Sequence, residues 1–192
     1  YLRPELFHAY VGVSQLLGLP SLAASHALLL KRARDQNDDT SLATLQSIGA
    51  PPWANPRSFG QLRRIVRAYE AKRTDAGPDW RPAAGYDSPQ DLAAYEAGEE
   101  FSFLKLVGYR GDGMLWQLTL DEQRTQFGIP VFLIQGEEDL LTPPAATQAW
   151  FDRISAPRKK LVMAPRAGHD PNAPWLAAQY RVLKDDVLPL TR

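Results

Sequence analysis

Two side chains that could transfer protons, Asp139 and His169, stand about thirty residues apart near the carboxyl end of the chain. Each follows an apolar run, residues 129–134 before the acid and residues 161–164 before the histidine. If both runs are parallel strands, their carboxyl ends meet at one sheet edge. An imidazole moves protons near neutrality, and a carboxylate on its other nitrogen fixes the tautomer. The pattern therefore predicts His169 as a general base and Asp139 as the acid that orients it.

The nucleophile that such a pair would serve is not evident in this sequence. A serine nucleophile usually sits on a Gly-x-Ser-x-Gly turn between a strand and a helix, and the 192 residues contain no such turn. Ser14 has Leu16 in place of the second glycine, and Ser58 has Pro56 in place of the first. Ser14 does precede the acid and the base, but we interpret it as a polar residue at a strand end. We expect the nucleophile to lie outside this chain.

Two other chemistries have less support in the sequence. A metal site would need ligand spacing such as His-x-x-x-His, which does not occur, so we expect no metal and no cofactor. An acidic cluster in the middle of the chain is usually a solvated helix face, although it could bind a substrate ammonium group. The metal candidates are Asp139, His169, Asp170 and His8, and the acidic cluster is Glu96, Glu99 and Glu100.

The elements that position Asp139 and His169 read as an α/β pattern. Strands are predicted at residues 9–13, 131–135 and 160–164, and the last two lack alternation, which is typical of strands covered on both faces in a parallel sheet. Thr142 before Pro143 predicts a capped helix to about residue 154. A last helix over residues 174–187 would pack through its apolar stripe. That stripe is Leu176, Tyr180, Leu183 and Val187.

The middle of the chain reads as mainly helical, without a convincing strand. We predict helices from Ser21 to about residue 34, around residues 42–48 before Gly49, around residues 62–69, and over residues 90–106, with a loop at residues 74–89. The predicted organisation is a core region at residues 1–19, a helical cap domain at residues 20–127, and a second core region at residues 128–192.

Composition excludes some classes of partner. Lys plus Arg and Asp plus Glu both number 22, so neither nucleic acid nor an anionic membrane is an expected partner. The chain has no cysteine, which excludes disulfides and thiolate metal sites. No apolar stretch reaches the roughly 18 residues that span a bilayer. The working expectation is a cytoplasmic protein.

Four stretches resemble the proline iminopeptidase-like serine aminopeptidases of the α/β-hydrolase superfamily. Residues 135–143 resemble the acid loop of that group, and residues 156–162 with 167–169 resemble its final strand and histidine loop. Residues 3–12 resemble the end of the helix after the nucleophile and the sixth sheet strand, and residues 49–56 resemble a proline-rich turn of the cap. The resemblance implies an α/β-hydrolase fold, with this chain as the C-terminal portion of the parallel sheet and an inserted helical cap. It also implies Asp139 and His169 as triad acid and base.

The resemblance carries further expectations about function and partners. The serine and oxyanion hole would precede Tyr1, so the chain alone would be inactive, and its strand at residues 9–13 would have an open edge for the N-terminal half of the same hydrolase. The substrates would be short peptides that lose their N-terminal residue. An aromatic often follows the family histidine, and Asp170 stands there instead, which puts the narrower group in question. The alternatives are an esterase or amidase that acts on small molecules and a non-catalytic binding module. Separation of the Asp139 and His169 side chains would favour the binding module.

Overall fold

The fold is built on a three-stranded parallel sheet. The computed structural model describes residues 3–77, 82–118 and 124–191. The strands are β1 (Tyr10–Val13), β2 (Val131–Gly136) and β3 (Lys159–Ala164), and they lie in the order β1-β2-β3 with both pairs parallel. The predicted α/β class, the parallel sheet and the three strand positions are therefore confirmed.

Helices connect the strands and cover the sheet. Among the described residues the α-helices are α1 (Leu19–Asp35), α2 (Asp39–Ile48), α3 (Arg57–Glu70), α4 (Pro89–Val107), α5 (Pro144–Arg153) and α6 (Ala173–Arg181). Short 3-10 helices cover Pro4–Leu6, Met114–Gln117 and Leu188–Thr191, and a π-helix, Val182–Val187, continues α6. Between β1 and β2 the described residues hold helices and no strand of the sheet, as the sequence predicted.

The central strand β2 is buried along its whole length. Its side chains alternate between two apolar clusters, one under α5 and one under α6, so both faces are covered and the continuous apolar run is explained. The first cluster includes Val131, Leu133 and Trp150, and the second includes Phe132, Ile134 and Trp175.

The outer strand β3 differs from this pattern. It was predicted to be covered on both faces, but Lys159, Lys160 and Met163 are exposed. β3 pairs with β2 on one side only, and in the described chain it is an edge strand. Lysine at such an edge opposes pairing with another chain.

The apolar face predicted for the last helix is wrong except at Val187, which is partly buried against the cluster on the sheet. Leu176 and Tyr180 are 40% and 63% exposed, whereas Trp175, Ala178 and Val182 are buried against the sheet. Both stripes satisfy helical spacing, but Ala178 is small and lets the helix approach the strands closely. Leu176 and Tyr180 therefore lie on the outer face, while Trp175 fills the inner one.

Two predicted helix starts are shifted. α1 begins at Leu19 after Gly18, so Ser21 lies inside its first turn rather than capping it. α5 begins at Pro144, and Pro143 takes the cap position that was assigned to Thr142. The Thr142 hydroxyl donates to the Asp139 carboxylate instead.

A separate apolar cluster joins α1, α2 and α3. It includes Leu22, Leu29, Leu45, Leu62 and Val66, and it also takes in Leu140 and Leu141, which follow β2. The helices of the segment between β1 and β2 therefore pack on the loop after the central strand. Within the described ranges, no helix combines the length and apolar character needed to cross a bilayer.

Candidate active site

Asp139 lies in the turn after β2 and is fully buried. One carboxylate oxygen, Oδ1, accepts hydrogen bonds from the backbone amides of Leu141 (2.9 Å) and Thr142 (2.8 Å). The other, Oδ2, accepts from the Thr142 hydroxyl (2.7 Å) and from Nε2 of Gln135 (3.0 Å). The carboxylate is therefore held in one orientation by four donors from its own strand and turn.

The ring of His169 completes this arrangement. Its Nδ1 lies 3.1 Å from Oδ2 of Asp139, and the side chain is 22% exposed. The two side chains are therefore in contact and not separated. Because a proton on Nδ1 is donated to the carboxylate, Nε2 is the ring nitrogen left to accept a proton.

The pKa of Asp139 reflects two opposing effects. Burial alone would raise the pKa of the carboxyl, but the hydrogen bond and charge of His169 and the bonds from Thr142 outweigh it, so the pKa lies below its ordinary value. Asp139 is therefore ionised at neutral pH. An ionised carboxylate against Nδ1 stabilises an imidazolium if the ring takes up a proton.

Two glycines let the acid and base loops come together. A Cβ atom on Gly136 would lie 2.3 Å from the carbonyl oxygen of Gly168, and one on Gly168 would lie 2.3 Å from Oε2 of Glu70. Neither glycine has a positive φ, so backbone conformation does not require glycine at these positions. They are required by close packing instead.

Glu70, the last residue of α3, bridges the two loops. Its carboxylate accepts from the backbone amides of Leu140 (2.7 Å) and His169 (3.0 Å). Sequence reasoning missed this residue. The available signal was its spacing, since Glu70 follows Val66 by four positions and so falls on the buried face of the helix.

Asp170, the residue after His169, is also tied to α3. Its carboxylate accepts from Arg63 (2.7 Å) and Arg67 (2.9 Å). Burial would raise the pKa of Asp170, but the two guanidinium groups outweigh it and hold the pKa below its ordinary value. The charge that replaces the expected aromatic is thus neutralised by α3.

The other candidate residues lie outside this pair. Ser14 follows β1 with a φ of 43°, and its buried hydroxyl has no hydrogen-bond partner among the described residues. Ser58 is in the first turn of α3 and His8 is exposed. The acidic cluster of α4 is exposed, as are most residues of that helix; its members are Glu96, Glu99 and Glu100. No group of three or more potential ligands suited to a metal ion occurs in the part of the chain that the structure describes.

No protein-family profile matches the chain. It is 22% identical over 181 residues to a curated Bacillus subtilis (strain 168) protein named "Probable aminopeptidase YbaC", a match that covers 88% of this chain and 54% of that protein. The chain therefore spans about half the length of the curated relative it matches.

Solved structures of two epoxide hydrolases also align with the chain. VrEH1 from Vigna radiata is 21% identical, with a TM-score of 0.34, over 87% of this chain and 57% of its own. A VrEH2 variant complex is 18% identical, with a TM-score of 0.38, over 88% and 58%. The relationship to the proline iminopeptidase-like group stays a prediction.

Proposed function

We propose that this chain supplies the acid and the base of a serine hydrolase of the α/β-hydrolase type, with Asp139 and His169 in those roles. The observation that carries the proposal is the 3.1 Å contact between Nδ1 of His169 and the buried Asp139 carboxylate at the ends of neighbouring parallel strands. Strand ends of such sheets are where open α/β folds place their sites. The similarity to a protein named as a probable aminopeptidase also supports the proposal of a hydrolase.

The proposed chemistry is acyl transfer through a covalent intermediate. Nε2 of His169 accepts the hydroxyl proton of a serine as its oxygen bonds to the scissile carbonyl carbon. The carbon–nitrogen bond then breaks, and His169 returns the proton to the leaving amine. A water molecule repeats the sequence and releases the acid. Asp139 stays ionised throughout and stabilises the imidazolium, in keeping with its depressed pKa.

The serine of this proposal comes from polypeptide outside the chain. The sequence has no Gly-x-Ser-x-Gly turn, and the chain matches only 54% of its curated relative. The oxyanion donors would come from the same missing partner. The helices of residues 20–127 would then form the cap that covers the site and selects short peptides with a free N-terminal residue.

The partner's place in the proposal is the free edge of β1. The amides of Tyr10 and Ser14 bond to the backbone of residues 130 and 134 beside and within β2. Since backbone groups alternate in direction along a parallel strand, the amides of Val11 and Val13 point away from β2. No strand of the described residues lies there. The N-terminal half of the hydrolase would pair along this edge.

The test combines this chain with the polypeptide encoded upstream of it and measures cleavage of aminoacyl p-nitroanilides. Hydrolysis by the assembled protein, and none by this chain alone or by an assembled His169→Gln variant, is the expected result. Cleavage of simple esters without aminoacyl amides would refute the peptide substrate and retain the catalytic pair. A folded, associated pair with no hydrolysis of either kind would refute the proposal.

A further inference from the structure

The carboxylate of Glu70 joins two loops that come from different strands. Oε1 accepts the amide of Leu140, the residue after the acid, at 2.7 Å, and Oε2 accepts the amide of His169 itself at 3.0 Å. Glu70 is 5% exposed. A single side chain of α3 thus fixes the backbone on both sides of the Asp139–His169 contact.

The chemical type of this residue matters for that task. A carboxylate has two oxygens that accept separately, whereas a glutamine has one oxygen and an NH₂ group that would face an N–H donor. Burial raises the pKa of Glu70, the two amide bonds partly oppose this, and the nearby Asp139 charge raises it again. Burying one carboxylate beside another is unfavourable. The two hydrogen bonds from the loop amides to Glu70 offset this cost.

Other contacts from the helical segment act on the same two loops. The hydroxyl of Ser25 in α1 donates to the backbone carbonyl of Leu140 at 2.5 Å. The backbone amide and carbonyl of Leu140 are therefore both bound by helices, α3 and α1. Arg63 and Arg67 of α3 hold Asp170. A Cβ atom on Gly168 would collide with the Glu70 carboxylate, so the base loop lies directly against this side chain.

We infer that Glu70 is a positioning residue, which sets the distance between the Asp139 carboxylate and the His169 ring by holding both loop backbones to α3. The expected effect on rate rests on the proposed function, but the role of Glu70 in holding the two loops does not. If one amide loses its acceptor, the two loops shift relative to each other. A misplacement of about 1 Å costs roughly a hundredfold in rate.

The experiment compares Glu70→Gln with the unsubstituted, fully assembled protein in two measurements. The first is steady-state kinetics, where we expect kcat to fall roughly a hundredfold with KM within about threefold, because the substrate contacts are untouched. The second is proton NMR of ¹⁵N-histidine-labelled protein, where the Nδ1–H signal of His169 is assigned by its loss in His169→Gln. We expect a protected signal in the parent protein and its exchange-broadening in Glu70→Gln.

The matched control is Glu138→Gln, in the same turn as Asp139. Glu138 pairs with Arg73 at 2.6 Å near the surface, and we expect neither kcat nor the Nδ1–H signal to change. If Glu70→Gln fails to fold, Glu70→Asp is measured in its place. It keeps the charge but reaches only one amide, and we expect its kcat to fall by less than the hundredfold expected for Glu70→Gln. Failure of both variants to fold would overturn the inference, because Glu70 would then be a requirement of folding.

The two measurements separate this inference from the proposed function. Loss of the Nδ1–H signal in Glu70→Gln with an inactive parent protein would defeat the proposed function and support the positioning role. An active parent whose Glu70→Gln variant keeps both kcat and the signal would overturn the positioning role alone. A fall in thermal stability without a change in either readout would do the same.

Discussion

Replacement of Asp139 by asparagine separates the structural from the catalytic role of the buried carboxylate. The asparagine oxygen can keep the hydrogen bonds from the backbone amides of Leu141 and Thr142. Its NH₂ group replaces Oδ2 and faces three donors, from the side chains of Gln135, Thr142 and His169. The Thr142 hydroxyl can rotate, and Gln135 retains its bond to the Thr142 carbonyl at 3.0 Å. The His169 ring can take the tautomer with a bare Nδ1. We therefore expect unfolding free energy to fall by only about 1–3 kcal/mol.

The effect of Asp139→Asn on catalysis should be much larger. The new tautomer carries its proton on Nε2, the nitrogen that must accept the proton of the nucleophile. A wrong tautomer in a Ser-His-Asp triad lowers kcat by about 10⁴, which corresponds to roughly 5.5 kcal/mol of activation free energy. The assays are urea unfolding and aminoacyl p-nitroanilide hydrolysis by the assembled protein. A variant that folds and keeps kcat within tenfold of the parent would refute the reasoning.

Three further outcomes follow from the same structure. The folded-state pKa of Asp139 lies below the unfolded value of about 3.9, so its carboxylate stabilises the fold above that value, and this stability is lost as pH falls through the folded pKa. The difference in unfolding free energy between parent and Asp139→Asn should therefore shrink below about pH 4 in urea titrations, and a difference that does not shrink there would contradict the depressed pKa. Ser14→Ala should leave aminoacyl hydrolysis within about twofold, because Ser14 is not the proposed nucleophile, and a loss of activity with the fold intact would contradict this. Gly136→Ala should lower unfolding free energy by about 1–3 kcal/mol, because the added methyl meets backbone carbonyls of residues 167 and 168, and an unchanged urea midpoint would show that the loops can separate freely.

The parts of the fold that the sequence predicted are those set by local burial. β2 is covered on both faces, and such strands are apolar along most of their length, so the apolar run at residues 131–134 predicted a buried strand. The packing face of α6 could not be predicted in this way, because two stripes of the helix satisfy the same spacing. The choice between them depends on how closely Ala178 and Trp175 fit the sheet, which is a tertiary property.

The candidate site divides in the same way. Asp139 and His169 were predictable because parallel strands bring their carboxyl ends to one edge, whatever the rest of the fold does. The spacing of Glu70 from Val66 indicates that it is buried, but not what it binds, because its partners are backbone amides 70 and 99 positions away. Thr142 was assigned to a helix cap because it precedes Pro143, whereas its hydroxyl donates to the buried Asp139 carboxylate.

The most direct test of the central claim is covalent labelling of the assembled protein with a fluorophosphonate, followed by mass spectrometric location of the label. We predict labelling of a serine in the upstream polypeptide, and its loss in the His169→Gln variant, because His169 accepts the serine proton. Labelling of Ser14, labelling that persists without the His169 imidazole, or no labelling of a folded assembly would contradict the account.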